Sequence, residues 1–413
     1  MNVWIVNQYA VGPSDPGGLR PFALAKELTL AGHDVTLVAS SFNHWTRSES
    51  RLSDGQDAAV ETVDGVRFVW LRAPAYPGST AKRFLSMLVF ASNVFKSPVL
   101  RSFGPPDVIV GSNPHLFAAY ASERLANDLD AAFVFEIRDI WPQSLIDLGR
   151  MSPRHPLVQV MAQMENHLVK SAGSIVTLPP TGAEYYASKG MSGDSLFWVP
   201  NGAYLPDLPD ATPVPDNDRF TVIFAGIHGI ANSLDTVLDA AALLQDAGLA
   251  DKVLFRMLGD GGEKPRLLER SRTMGLTNVE FSDSVSKRDV PKEIAKADAG
   301  LLILKKSPVF RWGISPNKLF DYFGAGRPVV YAVEASNNPV DEAKAGVTVA
   351  ADDPRALADG VVKLSEMTLE QRQEMGDNGR RYVVANHDLS KLGKVLERAL
   401  LHAVATKQSS RQS

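Results

Sequence analysis

Short, mostly apolar runs recur along the chain: Val3–Val6, His33 to Ser40, Val108–Val110, Ala131–Phe135, Phe220–Ala225, Val253–Leu258 and Ala299–Leu304. Runs of this kind mark parallel strands buried on both faces. Between them the apolar positions change to helical spacing, as in Leu24, Leu28 and Ala31, after which Gly32 ends the helix. The pattern predicts a βαβ unit from Val3 to Ser40, with a helix over Leu19 to Ala31. Asp64-Gly65, between Ala59–Val63 and Val66–Leu71, predicts a hairpin that flanks the first sheet. A helix is expected at Val158 to Ser171, a strand at Ser174 to Pro179, and the end of the first domain at Trp198-Val-Pro-Asn-Gly202. The same grammar restarts at Phe220, with helices at Ser233 to Leu244, Val290 to Ala297, Pro339 to Ala345, Leu357 to Leu364 and Leu369 to Asn386. This divides the chain into a first domain over 1–202, a linker over 203–219 rich in proline and aspartate, and a second domain over 220–391. A helix over 392–405 is expected to cross back to the first domain, and the tail 406–413 has nothing to bury and is expected to be disordered. The class is α/β with two Rossmann-like halves facing each other.

The densest chemistry lies in Gly313-Ile-Ser-Pro-Asn-Lys-Leu-Phe-Asp-Tyr-Phe-Gly-Ala-Gly-Arg-Pro-Val-Val330. Ser315 suits an N-cap, Pro316 the first helical position, and Leu319, Phe320 and Phe323 an apolar face before Gly324 and Gly326 close the helix. Free amides at Ser315, Pro316's neighbour Asn317, and Lys318 would lie at the positive end of the helix dipole, where Lys318 adds a full charge; this suits a diphosphate. Asn317 and Asp321 share a face, and the Asp321 carboxylate one turn on can accept two hydrogen bonds from a ribose diol. A capped helix packed on a strand is the plain alternative.

Ser315 to Val330 resembles the donor-binding motif of family-four retaining glycosyltransferases of the GT-B fold, in particular bacterial surface-polysaccharide enzymes similar to the fucosamine transferase of O-antigen synthesis. The similarity runs through nearly the whole chain. It implies a sugar nucleotide donor on the second domain, an acceptor on the first, and a transfer that needs no metal or cofactor. The family usually places two Glu residues eight positions apart, where this chain has Gly313 and Asp321. It also places Arg and Lys after the first strand of the second domain, where this chain has Ile227 and Asn232; Lys318, with Lys305 or Lys306, is the expected substitute. The resemblance further implies donor contacts from Gly226, His228 and Gly229, base contacts from Gly259, Asp260, Gly261, Ser284 and Val285, and diphosphate contacts from Gly17 and Gly18, whose plain role is a tight turn.

His115 and Arg138 stand at the ends of strands, where open parallel sheets bind ligands. The Arg138-Asp-Ile-Trp-Pro run resembles the subgroup's Asp-aromatic-Pro signature, with Arg138 where many members have His. His115 is either a site residue or a hydrogen-bonded histidine beneath a loop, and Arg138 is either an acceptor-facing cation or half of an ion pair. Asp139 is an alternative cap for a helix near Pro142.

Composition narrows the function. The chain has 413 residues, 45% hydrophobic and 22% charged, which is enough for two globular domains. A net charge of −4 with both signs interspersed gives no case for nucleic acid, and the absence of cysteine excludes disulfides, thiolate metal sites and a Cys nucleophile. The chain opens directly on a strand and has no apolar run near the roughly 18 residues needed to span a bilayer, so a cytoplasmic protein is expected. Thr80 to Lys96 is an aromatic helix with Lys82, Arg83 and Lys96 at its ends; it is either a core helix or a peripheral contact with the inner face of the cell membrane. Together these readings predict a retaining glycosyltransferase that moves a sugar from a nucleoside diphosphate, uridine by expectation, to a glycan or polyprenyl-diphosphate-linked acceptor. Domain closure that excludes water and cationic stabilisation of the leaving group would drive it. A sugar-nucleotide 2-epimerase of similar fold and a non-catalytic nucleotide-sugar-binding partner are the alternatives. A dehydrogenase lacks its glycine spacing.

Overall fold

A computed structural model describes residues 1–413 except 16, 77–79, 114, 206–211, 287–288 and 413. The chain divides into two compact units: 1–201 with 312–315 and 389–413, and 202–311 with 316–388.

The strands of the first unit are β1 (Asn2–Val6), β2 (Asp34–Ser40), β3 (Phe42–Asn43), β4 (Ser48–Glu49), β5 (Ala58–Val63), β6 (Val66–Leu71), β7 (Val108–Ser112), β8 (Ala132–Ile137), β9 (Ser174–Thr177) and β10 (Leu196–Trp198). Eight of them form one sheet in the order β10-β9-β8-β7-β1-β2-β6-β5, and β3 and β4 pair separately. All neighbours in the large sheet are parallel except β5 and β6. Those two form the expected hairpin, with Asp64 and Gly65 at φ 49° and 82°, as its two-residue turn requires. The chain runs from β1 out to β2 and β6, then returns to the other side of β1 as β7. A crevice therefore opens where strand order reverses, at the carboxyl ends of β1 and β7.

In the second unit β11 (Phe220–Ala225), β12 (Val253–Leu258), β13 (Val279–Ser282), β14 (Ala299–Ile303), β15 (Val329–Ala332) and β16 (Gly346–Thr348) form a six-stranded sheet in the order β13-β12-β11-β14-β15-β16. Its order reverses between β11 and β14. Val222, Phe224, Phe255, Leu301 and Val330 are fully or almost fully buried, and the helices Leu234–Asp246 and Pro354–Ser365 cover them with Val237, Leu238, Leu357 and Val361. Burying each such side chain is worth about 1.5–3 kcal/mol.

Some expectations change. The final helix runs Leu389–Gln412, so residues 406–412 are ordered rather than a loose tail: Lys407 donates to the Ala131 carbonyl at 2.8 Å, and Arg411 pairs with Asp130. Gly173 lets this helix approach closely, since a Cβ there would lie 2.9 Å from the Ala403 Cα. Ser315 is not an N-cap. Pro316 holds that position, in front of a helix over Asn317–Gly324, while the Ser315 hydroxyl accepts the Asn201 N–H at 2.8 Å within the first unit. Asp139 caps nothing either: the helix Gln143–Asp147 starts at Pro142 without a side-chain cap, and the Asp139 carbonyl accepts from Asn113 Nδ2 at 2.7 Å. Part of the linker, 206–211, lies outside the described residues. Beyond it, Thr212 and Pro213 accept bonds from the buried Arg327.

Candidate functional site

In the second unit the loops after β11 and β12 touch backbone to backbone. A Cβ on Gly259 would sit 2.0 Å from the Gly226 carbonyl oxygen, and one on Gly261 would sit 2.4 Å from that of His228. Only glycine allows this approach. His228 donates its N–H to the Asp260 carbonyl at 2.8 Å and accepts from the Glu263 N–H at 3.0 Å. Lys264, which the sequence did not single out, fixes the same edge: its Nζ donates to the Gly259 carbonyl at 2.9 Å, the Ser282 carbonyl at 3.2 Å and Asp283 Oδ1 at 2.7 Å. Asp260, Ser284 and Val285 are exposed around it, and Gly229 is partly buried.

Against this edge the helix Asn317–Gly324 delivers Lys318. Its direction is set by Tyr322, whose hydroxyl accepts the Ala225 N–H at 3.0 Å and donates to the Leu301 carbonyl at 3.1 Å, joining the end of β11 to the middle of β14. The Tyr322 ring lies over Gly300 of β14, where a Cβ would come within 2.5 Å of it. Lys318 Nζ then reaches Asn232 Oδ1 at 2.6 Å and lies 4.7 Å from the centroid of the Phe224 ring. Gly226 makes room, since a Cβ there would lie 2.6 Å from Lys318 Cε.

The electrostatics of this corner are unbalanced. Desolvation alone lowers the Lys318 ammonium to about 8, and among the described residues it is met by an amide oxygen and an aromatic ring rather than by a carboxylate. The fully buried His228 ring sits beside Phe224 and Phe281 with both nitrogens unpartnered. Burial, then Lys264, and more weakly Lys318 lower it to about 4 against the pull of Asp260, so it is neutral near pH 7. Asp321 lies one turn after Lys318 and is partly exposed, Asn317 is exposed, and Pro316 leaves the first turn without a side-chain cap. The structure thus brings Gly226, His228, Gly259, Asp260, Gly261 and Lys318 to one sheet edge. Ser315 and Gly313 group with the other unit.

In the first unit His115 is fully buried at the start of the helix Leu116–Asp128, accepting the Ala118 N–H on Nδ1 at 3.4 Å and meeting Gln8 Oε1 with Nε2. Burial, with Arg83 nearby, lowers it to about 3. It is a neutral cap beneath the loop. Arg138 is partly buried, its N–H bonded to Asn113 Oδ1 at 2.7 Å. Burial would raise the neighbouring Glu136 carboxyl, but Arg20 and Arg138 outweigh it and hold it below its ordinary value. Arg20, another residue the sequence did not flag, pairs with Glu136 and donates to the Val199 carbonyl at 2.7 Å. Gly17 is needed by Trp45, whose Nε1 would lie 2.5 Å from a Cβ there, whereas Gly18 faces open space. Among the described residues no group of acidic, His or Cys side chains has metal-binding geometry.

Residues 18–202 match the family description "Glycosyl transferase 4-like domain", and residues 219–367 match "Glycosyl transferases group 1". WcaI of Escherichia coli (strain K12), named for colanic acid biosynthesis as a glycosyl transferase, is 24% identical over 326 residues, 75% of this chain and 77% of that protein. Sucrose-phosphate synthase from Thermosynechococcus elongatus has a similar structure, with a TM-score of 0.73 at 15% identity over 96% of this chain and 97% of that one. Anabaena Alr3699/HepE in complex with UDP-glucose gives 0.65 at 13% identity over 96% and 98%.

Proposed function

This chain belongs to the family-four GT-B glycosyltransferases, and from that premise we propose that it acts in surface-polysaccharide biosynthesis, transferring a sugar, with retention, from a uridine diphosphate donor bound by the second unit to a glycan or polyprenyl-diphosphate-linked acceptor bound by the first. The observation that carries the donor assignment is Lys318: an ammonium in a desolvating corner, answered by a neutral amide and an aromatic face and by no carboxylate among the described residues. A diphosphate supplies the missing charge. The uncapped first turn at Asn317 and Lys318 adds amide donors aimed the same way. Asp321 would take the ribose hydroxyls, and Gly259, Asp260, Gly261, Ser284 and Val285 would line the base. HepE was solved with UDP-glucose, which supports the choice of uridine.

Transfer breaks the bond between the anomeric carbon and the β-phosphate oxygen and leaves the electron pair on the diphosphate; the acceptor oxygen bonds to the anomeric carbon from the same face, and its hydroxyl proton passes to the departing phosphate oxygen. Lys318 and the helix amides stabilise that growing charge, so the scheme needs no cofactor and no bound ion. The test is incubation with a panel of UDP-hexoses and UDP-N-acetylhexosamines, followed by NMR. We expect release of UDP with the sugar first appearing in the donor's anomeric form. Inverted sugar contradicts retention, and a 2-epimerised sugar nucleotide replaces transferase by epimerase.

The helix Thr80–Lys96 buries Met87, Phe90 and Val94 and exposes Leu85, Leu88 and Phe95 on a stripe with Lys82 and Lys96. No helix among the described residues is long and apolar enough to cross a membrane. We infer that this stripe rests on the membrane that carries the acceptor. Cosedimentation with anionic vesicles should therefore fall sharply in the Leu85→Glu, Leu88→Glu double variant. Equal sedimentation of variant and wild type contradicts the contact.

A further inference from the structure

We propose that the first unit contains a phosphate-binding subsite, built by Arg47 and Arg83 around the His44–Tyr76 pair, that recognises a phosphate group carried by the acceptor. This rests on the reading of the first unit as the acceptor domain. The subsite lies beyond the carboxyl ends of β1, β2 and β6, on the β1 side of the reversal in strand order. Tyr9 follows β1, His44 and Arg47 lie in the turn that joins β3 and β4, Tyr76 follows β6, and Arg83 projects from the helix Thr80–Lys96. His44 Nδ1 is 2.8 Å from the Tyr76 hydroxyl, and the His44 ring centroid is 5.1 Å from that of Tyr9. The Arg83 guanidinium lies 5.8 Å from the Tyr9 ring centroid.

Three features point to an anion. Neither Arg47 nor Arg83 is paired with a carboxylate among the described residues, although the neighbouring Arg51 holds both Asp15 and Glu61. Arg83 also buries its Nε without a hydrogen-bond acceptor among the described residues, an unfavourable state that a bound anion would relieve. The third feature is that both guanidinium groups act on one imidazole. Burial first, then Arg83 and Arg47, lower His44 to about 4, so that near pH 7 it is neutral and adds no charge of its own. Arg47 is held at φ 56°, a left-handed conformation unusual for a side chain of this size, in an exposed turn. Two guanidinium forks beside phenol and imidazole hydrogen-bonding groups match the several oxygens of a phosphate better than the two of a carboxylate. We assign a phosphate in this position to the acceptor, because the donor diphosphate already has a cation of its own in Lys318.

The test follows the C2 proton of His44, identified with a His44→Asn variant, while the full chain is titrated with inorganic pyrophosphate in saturating UDP. We expect a saturable shift, with apparent affinity about tenfold weaker in Arg83→Gln and in Arg47→Gln. Arg47 is exposed, so its variant remains informative if Arg83→Gln unfolds. UDP binding by calorimetry should be unchanged in both variants. Three results overturn the subsite: no shift, a shift equal in wild type and both variants, or a shift produced by UDP alone to which pyrophosphate adds nothing, which would assign the arginines to the donor. A shift with glucuronate and none with pyrophosphate would replace phosphate by carboxylate. Failure of the donor reading shows separately, as an absence of UDP binding.

Discussion

Lys318 is lowered by burial, and an anion bound beside it must raise it again. Binding of UDP therefore takes up a proton once the pH exceeds about 8. Affinity should be level below that value and fall by up to about tenfold per pH unit above it, whereas the Lys318→Gln variant should bind weakly with no such slope. Calorimetry between about pH 7 and about pH 9 reads the difference. A wild-type affinity flat across that range would mean that the ammonium does not meet the nucleotide. The sequence made Lys318 visible as a charge at a helix start, and Asn232 as a neutral residue where the family has a cation. It could not show that the two side chains meet at 2.6 Å, because they are separated by more than eighty positions of chain and joined only through the packing of a helix on a sheet. His228 was readable as a loop residue, but its orphaned nitrogens follow from tertiary burial.

At the scale of elements, the helix Asn317–Gly324 acts as an arm with its pivot at Tyr322. Removing that hydroxyl leaves the Ala225 N–H and the Leu301 carbonyl without their partner, which costs about 1–3 kcal/mol in a buried setting. Tyr322→Phe should therefore lower stability by that amount in denaturant unfolding and weaken UDP binding by loosening the placement of Lys318. Unchanged stability and unchanged affinity would show that apolar packing alone sets the helix. Most strands and helices were legible because apolar runs and helical spacing are local signals: Leu369–Asn386 and the hairpin at Asp64-Gly65 stand where the pattern put them. The short pairing β3–β4 and the strand β16 carry too few residues to show a period. Ser315 misled because its composition suits a cap, while its hydroxyl is used by Asn201 in the tertiary structure. Gly300 was the readable hint of Tyr322: a glycine inside an apolar strand signals close approach.

For the whole molecule, the two doubly wound sheets and the family follow from the strand grammar and the motif that ends at Val330, and the comparisons agree. The order of residues 406–412 was not legible, because their polar composition hides bonds to Asp130 and Ala131 on a distant part of the same unit. The departures at Gly313, Ile227 and Asn232 are the reason that the donor site must be tested rather than carried over: a glycosyltransferase without the usual cations needs another one. Calorimetric titration of wild type and Lys318→Gln with UDP, GDP and dTDP at one pH is the most direct measurement. UDP should bind best to the wild type, with affinity of micromolar order, and lose about 10- to 100-fold in the variant. Equal UDP affinity in the two proteins, or no nucleotide binding by the wild type, would contradict the assignment of Lys318 to the donor diphosphate.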